Sequence, residues 1–323
     1  MREIVFIKKN KEKWLQYEEM LNGKSTISAD ELSELYVQLI NDLSYAKTFY
    51  PGSSVAEYLN TLAAQTHHLI YKNKKESSKR IISFWKTELP LLMYDVRKYL
   101  YISFIVFTLS FLIGWISSAY DDSFVRLILG DYYVNMTIEN IEKGDPMAVY
   151  KEEKELNMFF GITLNNIMVS FYAFILGIFF SFGSIWIMLS NGIMLGSFMY
   201  FFKQYNVFTD ALKTVWIHGT LEISAIIIAG CAGIVMGSSF IFPGTYSRMK
   251  AFSKGALRGV KIITGLIPVF ILAGFLESFV TRYTEMPLWL SLFIIFGSLT
   301  FIIWYFIIYP KHLHQKFIKN GNL

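Results

Sequence analysis

Charged residues are almost missing from five long apolar tracts of this 323-residue chain. All 30 Lys and Arg and 23 of the 25 acids lie outside the tracts, as expected where hydrocarbon makes charge costly to bury. The two acids inside them are Glu222 and Glu277. This distribution predicts a polytopic membrane protein. The tracts are Tyr99–Tyr120, Ile162–Phe202, Thr214–Ser238, Ile262–Thr281 and Pro287–Tyr309.

Several other features are scarce or missing. Cys231 is the only cysteine, so a disulfide within the chain is excluded. The first residues have no apolar core of about 7 to 15 residues, so we expect no cleaved signal peptide and expect the first span to act as an uncleaved signal-anchor. No strand pattern and no glycine-rich phosphate loop is present, so we expect an all-α fold.

The tract Ile162–Phe202 is long enough for two spans, because a helix needs about 20 apolar residues to cross the bilayer. A break near Ser181–Ser184 divides it, which gives six transmembrane helices in residues 99–309. Residues 1–98 have ordinary charge density and form a separate domain. Residues 310–323 are a basic tail.

The basic residues indicate orientation. The segment 239–261 carries five Lys and Arg and no acid, which is typical of a cytoplasmic loop. Both termini are then cytoplasmic, and the extracytoplasmic segment 121–158, with nine acids against four bases, lies outside. Because topology accounts for the basic segments, we expect no nucleic-acid binding.

Residues 1–98 are predicted to form a soluble helical bundle. Apolar residues at helical spacing predict helices over 2–21 and about 54–72. Between them, a helix with apolar residues from Leu32 to Ala46 on one face continues until Tyr50-Pro51-Gly52 breaks it. Segment 81–98 combines apolar and basic residues, and is either a helix in the inner interface or a connecting helix packed on the bundle.

The chain resembles the stage II sporulation protein M family of bacterial membrane proteins, in the form with a helical N-terminal domain. The block His218-Gly219-Thr220-Leu221-Glu222-Ile223-Ser224-Ala225 is similar to the family signature, although Ile217 and Ser224 stand where the family often has proline. Further matching positions are Phe6, Trp14, Tyr50-Pro51, His67, Asn165-Asn166, Gly177, Gly183, Asn191-Gly192 and Gly196. The resemblance implies a bacterial inner (cytoplasmic) membrane protein that acts as a scaffold for cell-envelope partners.

Polar residues in the spans form one candidate site. His218 and Glu222 stand at i and i+4 and share a helical face. The predicted topology places Glu277 in the same, outer half of the membrane. Four interpretations stay open: cross-linking of neighbouring helices, a proton or cation relay in a channel or transporter, a partial metal site, and recognition of an extracytoplasmic partner or lipid. The other members of the predicted cluster are Asn165, Asn166 and Asn191.

We expect no catalytic residue, cofactor or metal. Catalytic zinc needs three protein ligands and an open position. The spans offer no more than that number, His218, Glu222 and Glu277, so a metal hydrolase is not favoured. An intramembrane protease is not indicated, since no aspartate lies in any tract and no Ser–His pair is visible.

Glycines on three spans predict close helix packing. They either pack within one protomer or form a homodimer seam with a second copy of the chain. The spans imply contact with membrane lipids, and the resemblance to the family implies other envelope proteins as partners. These glycines are Gly177, Gly192, Gly196, Gly230, Gly233 and Gly237.

Overall fold

The structure is a computed structural model that describes residues 2–21, 29–71, 79–151, 154–284 and 286–319. Every regular element in these ranges is a helix, and six helices are long and apolar enough to cross a membrane. The predicted all-α fold with six spans and an N-terminal helical part is therefore confirmed. The chain divides into two compact units, Met1–Arg80 and Ile81–Leu323.

The first unit contains three helices that bury aromatic and aliphatic side chains. Trp14 and Tyr17 are buried, and the indole Nε1 of Trp14 donates to Asp42 Oδ2 at 2.9 Å. Gly52, with a φ of 75°, supplies the left-handed residue of the turn that separates the second and third helices. The helices are α1 (Glu3–Leu21), α2 (Ala29–Phe49) and α3 (Ser54–Tyr71).

A short helical segment precedes the first span: α4 (Lys79–Ser83), a π-helix (Phe84–Glu88) and α5 (Leu89–Asp95). Leu89 and Met93 are buried in the core of the membrane unit. Segment 81–98, predicted to end the N-terminal domain, belongs instead to the membrane unit.

The six spans follow in chain order with a surface segment between the first two. The long tract splits as predicted, at Phe180 and Ser181, which have φ of 52° and 72°. The elements are α6 (Arg97–Tyr120), α7 (Asp122–Leu129), α8 (Asp131–Glu142), a 3₁₀ turn (Ala148–Lys151), α9 (Glu155–Ile175) with a 3₁₀ turn (Leu176–Ile178), α10 (Phe182–Gln204), α11 (Phe208–Ile241), α12 (Arg248–Phe275) with a π-helix (Leu276–Val280), α13 (Leu288–Ile303) with a π-helix (Trp304–Ile308), and α14 (Tyr309–Lys319).

Two helices extend well beyond their apolar tracts. α11 begins at Phe208 rather than Thr214, and α12 begins at Arg248 rather than Ile262. The basic residues interpreted as a loop therefore lie largely on the first turns of α12. A helix need not end where the apolar tract ends, since nothing in Arg248–Lys261 breaks it.

α11 is the central helix of the membrane unit. It contacts α6, α9, α10, α12 and α13, and it is buried without interruption from Ala225 to Ser238. In the family-like block 218–225, His218–Leu221 and Ala225 are also buried, whereas Glu222, Ile223 and Ser224 are partly exposed.

α7, α8 and the 3₁₀ turn Ala148–Lys151 pack on one end of the bundle. Val125, Val134 and Met147 from this segment form a buried cluster with Phe202 and Ala211 near the ends of α10 and α11. We call this end of the membrane unit the α7–α8 side.

Candidate functional site

His218 lies at the centre of the predicted polar cluster and is buried, with 4% of its surface exposed. Its Nδ1 lies 3.0 Å from Thr281 Oγ1, within hydrogen-bond distance. Its Nε2 faces Glu277 Oε1 at 3.7 Å. The imidazole therefore bridges two residues at the far end of the fifth span.

Glu222 lies one turn beyond His218 on α11 and joins the same group. One ligand atom from each of His218, Glu222 and Glu277 lies within 4.8 Å of the other two. The partners shown for the His218 ring nitrogens are Thr281 and Glu277, whereas the sequence pointed to Glu222 as the neighbour of His218 on the same helical face.

The π-helix Leu276–Val280 carries Glu277 to the site. Its wider turn is closed by the hydrogen bond from Thr281 N to Leu276 O at 2.8 Å. Glu277 and Thr281 both meet His218, from the same face of this segment. Short π-helical insertions occur frequently at functional sites.

Only part of the predicted asparagine set reaches the cluster. Asn166 is buried, with 5% exposure, and approaches the Glu222 carboxyl without completing a hydrogen bond from its Nδ2. Asn165 is exposed; successive residues of a helix point in different directions, so it faces away. Asn191 borders the same cavity as Glu222, and its Nδ2 donates to Ile187 O at 2.8 Å.

A cavity of about 390 Å³ adjoins the cluster on the α7–α8 side. His218, Glu222, Glu277 and Asn191 supply polar groups to its wall. Tyr133 of α8 and Tyr150 of the 3₁₀ turn complete it from the surface segment. Apolar lining residues include Phe107, Leu129, Met194, Leu195, Phe198 and Ile226.

Tyr133 and Tyr150 were not predicted from the sequence as site residues. The Tyr150 ring stands edge-on to the imidazole of His218, with ring centroids 5.7 Å apart. Burial raises the pKa of Tyr133 to about 12. Burial, together with the carboxyls of Glu277 and Glu222, raises the pKa of Tyr150 well above its ordinary value. Both phenols are therefore protonated at neutral pH and available as donors.

The other half of α11 is packed without comparable space. A Cβ atom placed on Gly233 would lie 2.0 Å from Ser184 Oγ, and one placed on Gly237 would lie 2.2 Å from Ser181 N. A Cβ on Gly230 would lie 2.2 Å from Met188 Sδ. Helix backbones approach closely here, which leaves little room beside α11.

The remaining predicted packing glycines also lie against helices of the same chain. A Cβ on Gly192 would lie 2.5 Å from Ser110 Cβ, and one on Gly196 would lie 2.1 Å from Phe111 O. Both contacts join α10 to α6. Gly177 lies against Gly233 of α11.

The chemistry available to the cluster is that of proton exchange, hydrogen bonding and cation binding. The imidazole of His218 lies between the hydroxyl of Thr281 and the carboxyl of Glu277, an arrangement of hydroxyl, base and carboxylate. However, Thr281 is 1% exposed and is not among the residues that line the cavity. A substrate in the cavity would not reach its hydroxyl.

The family model for stage II sporulation protein M matches residues 103–282, which is more than half of the chain. The chain belongs to the stage II sporulation protein M family. A second model, described as a domain of unknown function (DUF8413), matches residues 4–72. No curated protein and no solved structure matches the chain.

The match to the stage II sporulation protein M family contains the whole site. It covers α11 and reaches Thr281 at the end of the π-helix, and it includes the surface segment with Tyr133 and Tyr150. The sixth span, α13 and its continuation, lies outside it. The chain is thus a multi-pass membrane protein of this family whose polar cavity falls within the family region.

Proposed function

We propose that this protein of the stage II sporulation protein M family is a non-enzymatic scaffold of the bacterial cell envelope. In this proposal it lies in the cytoplasmic membrane with both termini in the cytoplasm. It recruits an envelope protein on the α7–α8 side. The resemblance to the family implies such a role, and the positive residues on the first turns of α12 support the orientation.

The observation that carries the proposal is the one-sided position of the polar cavity. Its polar lining comes from the α7–α8 half of the bundle and from the surface segment. Beyond Glu222, α11 carries no charged residue as far as Ile241, and Gly230, Gly233 and Gly237 lie against neighbouring helices. This arrangement favours binding from one side over passage across the membrane.

The surface segment offers side chains that a partner can reach. Leu127 is 78% exposed and Tyr132 is 84% exposed, although α7 and α8 are themselves held by buried residues on the bundle. Exposed aromatic and aliphatic side chains on a fixed support are typical of recognition surfaces.

A photo-crosslinking amino acid at Tyr132 tests the proposal in native membranes. We expect irradiation to give one dominant adduct with another envelope protein, identified by mass spectrometry. The matched control carries the same amino acid at Phe293, which is 72% exposed on α13. If position 132 gives no protein adduct, or the same adducts as position 293, recruitment through this segment is wrong.

A channel or transporter subunit is the second candidate, because His218, Glu222 and Glu277 line a cavity inside a membrane bundle. It predicts proton or cation flux in vesicles that contain the purified protein. That flux should fall in Glu222→Gln and persist in Asn165→Ala. Equal flux in protein-free vesicles, the wild type and both variants would remove this candidate.

A further inference from the structure

We propose that His218, Glu222 and Glu277 bind one divalent transition-metal cation of the zinc and manganese class at the wall of the cavity. His218 and Glu222 lie on α11 and Glu277 on the π-helix after α12, so packing of the two spans brings the three side chains together. The proposal goes beyond the scaffold function and does not depend on it.

The orientation of His218 suits a metal ligand. Thr281 Oγ1 lies 3.0 Å from Nδ1 and can accept a hydrogen bond from Nδ1–H; in that tautomer Nε2 carries the lone pair and faces Glu277. A histidine that binds a metal usually donates its other ring N–H to a neighbouring acceptor, which fixes the tautomer and the ring plane. Thr281 is placed to do this.

The spacing of the candidate ligand atoms is close to that of a metal site. His218 Nε2 and Glu277 Oε1 are 3.7 Å apart, which is too long for a hydrogen bond. Ligand bonds of about 2.0–2.1 Å in a tetrahedral site place neighbouring ligand atoms roughly 3.3 Å apart. The three groups lie within 4.8 Å of one another, so small side-chain rotations would bring them to one cation.

The negative charge of the two glutamates favours a cation. Among the described residues, these glutamates have one ion pair, between Glu277 and His218. Two basic residues adjacent in sequence to the site have other acidic partners: Lys151 pairs with Asp145 at 2.7 Å and Arg282 with Glu155. Carboxylates that are mostly shielded from water, as Glu277 is with 14% of its side chain exposed, need a counter-charge or a proton, and a divalent cation would balance both glutamates.

A buried amide lies beside the site. Asn166 Nδ2 has no hydrogen-bond partner within the described part of the chain, and Asn166 approaches the carboxyl of Glu222. Unsatisfied buried groups are rare, and an ion with its bound water is one explanation for them.

The mixture of one imidazole and two carboxylates suits zinc and manganese rather than calcium, which prefers oxygen ligands alone. Three protein ligands leave at least one coordination position open, and the adjoining cavity of about 390 Å³ has space for water there. The cation would therefore be held by the protein on one side and reached from the cavity on the other.

The test uses the full-length, tag-free protein in detergent, stripped with a chelator and then equilibrated with ZnCl₂ or CoCl₂. We expect one Zn²⁺ per chain by elemental analysis after desalting, and a visible absorption band from bound Co²⁺. His218→Ala and Glu277→Gln should reduce affinity at least about 100-fold, and Thr281→Val about 10- to 100-fold because it removes only the support of the ligand.

Asn165→Ala is the matched control, since it alters a neighbouring but exposed asparagine, and it should bind as the wild type does. Size-exclusion chromatography reports folding of each variant. If His218→Ala does not fold, Glu277→Gln and Thr281→Val decide, because both nearly preserve side-chain volume. Absence of stoichiometric metal in the wild type, or wild-type affinity in Glu277→Gln and Thr281→Val, would overturn the proposal.

Discussion

A Cβ atom placed on Gly177 would lie 2.3 Å from the carbonyl oxygen of Gly233. The two glycines therefore bring the end of the second span into backbone contact with the central helix. Small residues allow such approach between transmembrane helices, where dispersion contacts largely replace the hydrophobic effect. The same half of α11 contains Cys231, which is fully buried.

Gly233→Ala should destabilise the membrane unit, since its new methyl group would lie 2.0 Å from Ser184 Oγ and 2.4 Å from Ala173 O. We expect a loss of about 1–3 kcal/mol, as is usual for an overpacked core. Cys231 provides the measurement: a thiol-reactive fluorophore should label it only as the protein unfolds, and at a lower temperature in the variant.

Gly161→Ala is the control for this prediction, because a Cβ on Gly161 would have no neighbour within 4 Å. It should leave the labelling temperature unchanged. Equal behaviour of the two variants would show that the contact of Gly233 with α9 and α10 is not tight.

Tyr305 holds the segment before the first span. Its hydroxyl donates to Trp85 O at 2.6 Å, and Tyr305→Phe removes this hydrogen bond while keeping the ring. We expect a cost of about 1 kcal/mol, the usual net value of such a bond. Hydrogen–deuterium exchange of peptides within 84–95 should become faster, and exchange in α11 should not change.

Tyr309→Phe offers a graded comparison for Tyr305→Phe. Its hydroxyl donates to Lys86 O at 2.8 Å but is exposed, so water can replace the lost bond. A smaller effect is expected than for Tyr305. A larger effect at Tyr309 would contradict the assignment of Tyr305 as the main contact.

The spans could be predicted from the sequence because hydrocarbon excludes charge. Counting residues from the predicted span ends also placed Glu222 and Glu277 in one half of the membrane, where the structure brings them together with His218. For Asn165 and Asn166 the sequence offered no choice between them. Adjacent helical residues differ in direction, and the rotation of α9 about its axis is set by packing.

Other parts of the site could not be predicted from one sequence. Tyr133 and Tyr150 enter it from a surface segment whose path depends on packing against α10 and α11 rather than on an apolar tract. The π-helix Leu276–Val280 has no signature in residue spacing. The extra residue in its turn changes how Glu277 and Thr281 face His218.

Tyr133 should make stability depend on alkaline pH. Its pKa is raised to about 12 by burial from an ordinary value of about 10. The folded state therefore keeps the phenol protonated at pH values where the unfolded state ionises it. Its contribution is complete below about pH 10 and is lost as pH rises toward about 12.

Thermal unfolding of the wild type and Tyr133→Phe between pH 8 and 11 measures this effect. The wild type should lose stability more steeply above pH 10 than the variant, which lacks the titrating group. Tyr132→Phe is the neighbouring control, because Tyr132 is 84% exposed. Parallel curves for the wild type and Tyr133→Phe would show that Tyr133 is not buried as described.

Trp14→Phe tests the core of the N-terminal unit. Trp14 is 3% exposed and donates to Asp42 Oδ2 at 2.9 Å, while Lys13 also contacts this carboxylate, at 2.5 Å. The substitution removes the donor and some ring volume but leaves Asp42 paired with Lys13. We expect a loss of about 2–3 kcal/mol, combining a charge-assisted hydrogen bond with a smaller side chain. Hydrogen exchange in the best-protected amides of α1 and α3 should then rise roughly 30- to 150-fold, at a factor of ten for each 1.4 kcal/mol. Exchange in α11 should stay as it is, and Val37→Ala, at a 59% exposed position of α2, should leave the whole pattern unchanged. Faster exchange in α11 as well would show that the two units unfold together.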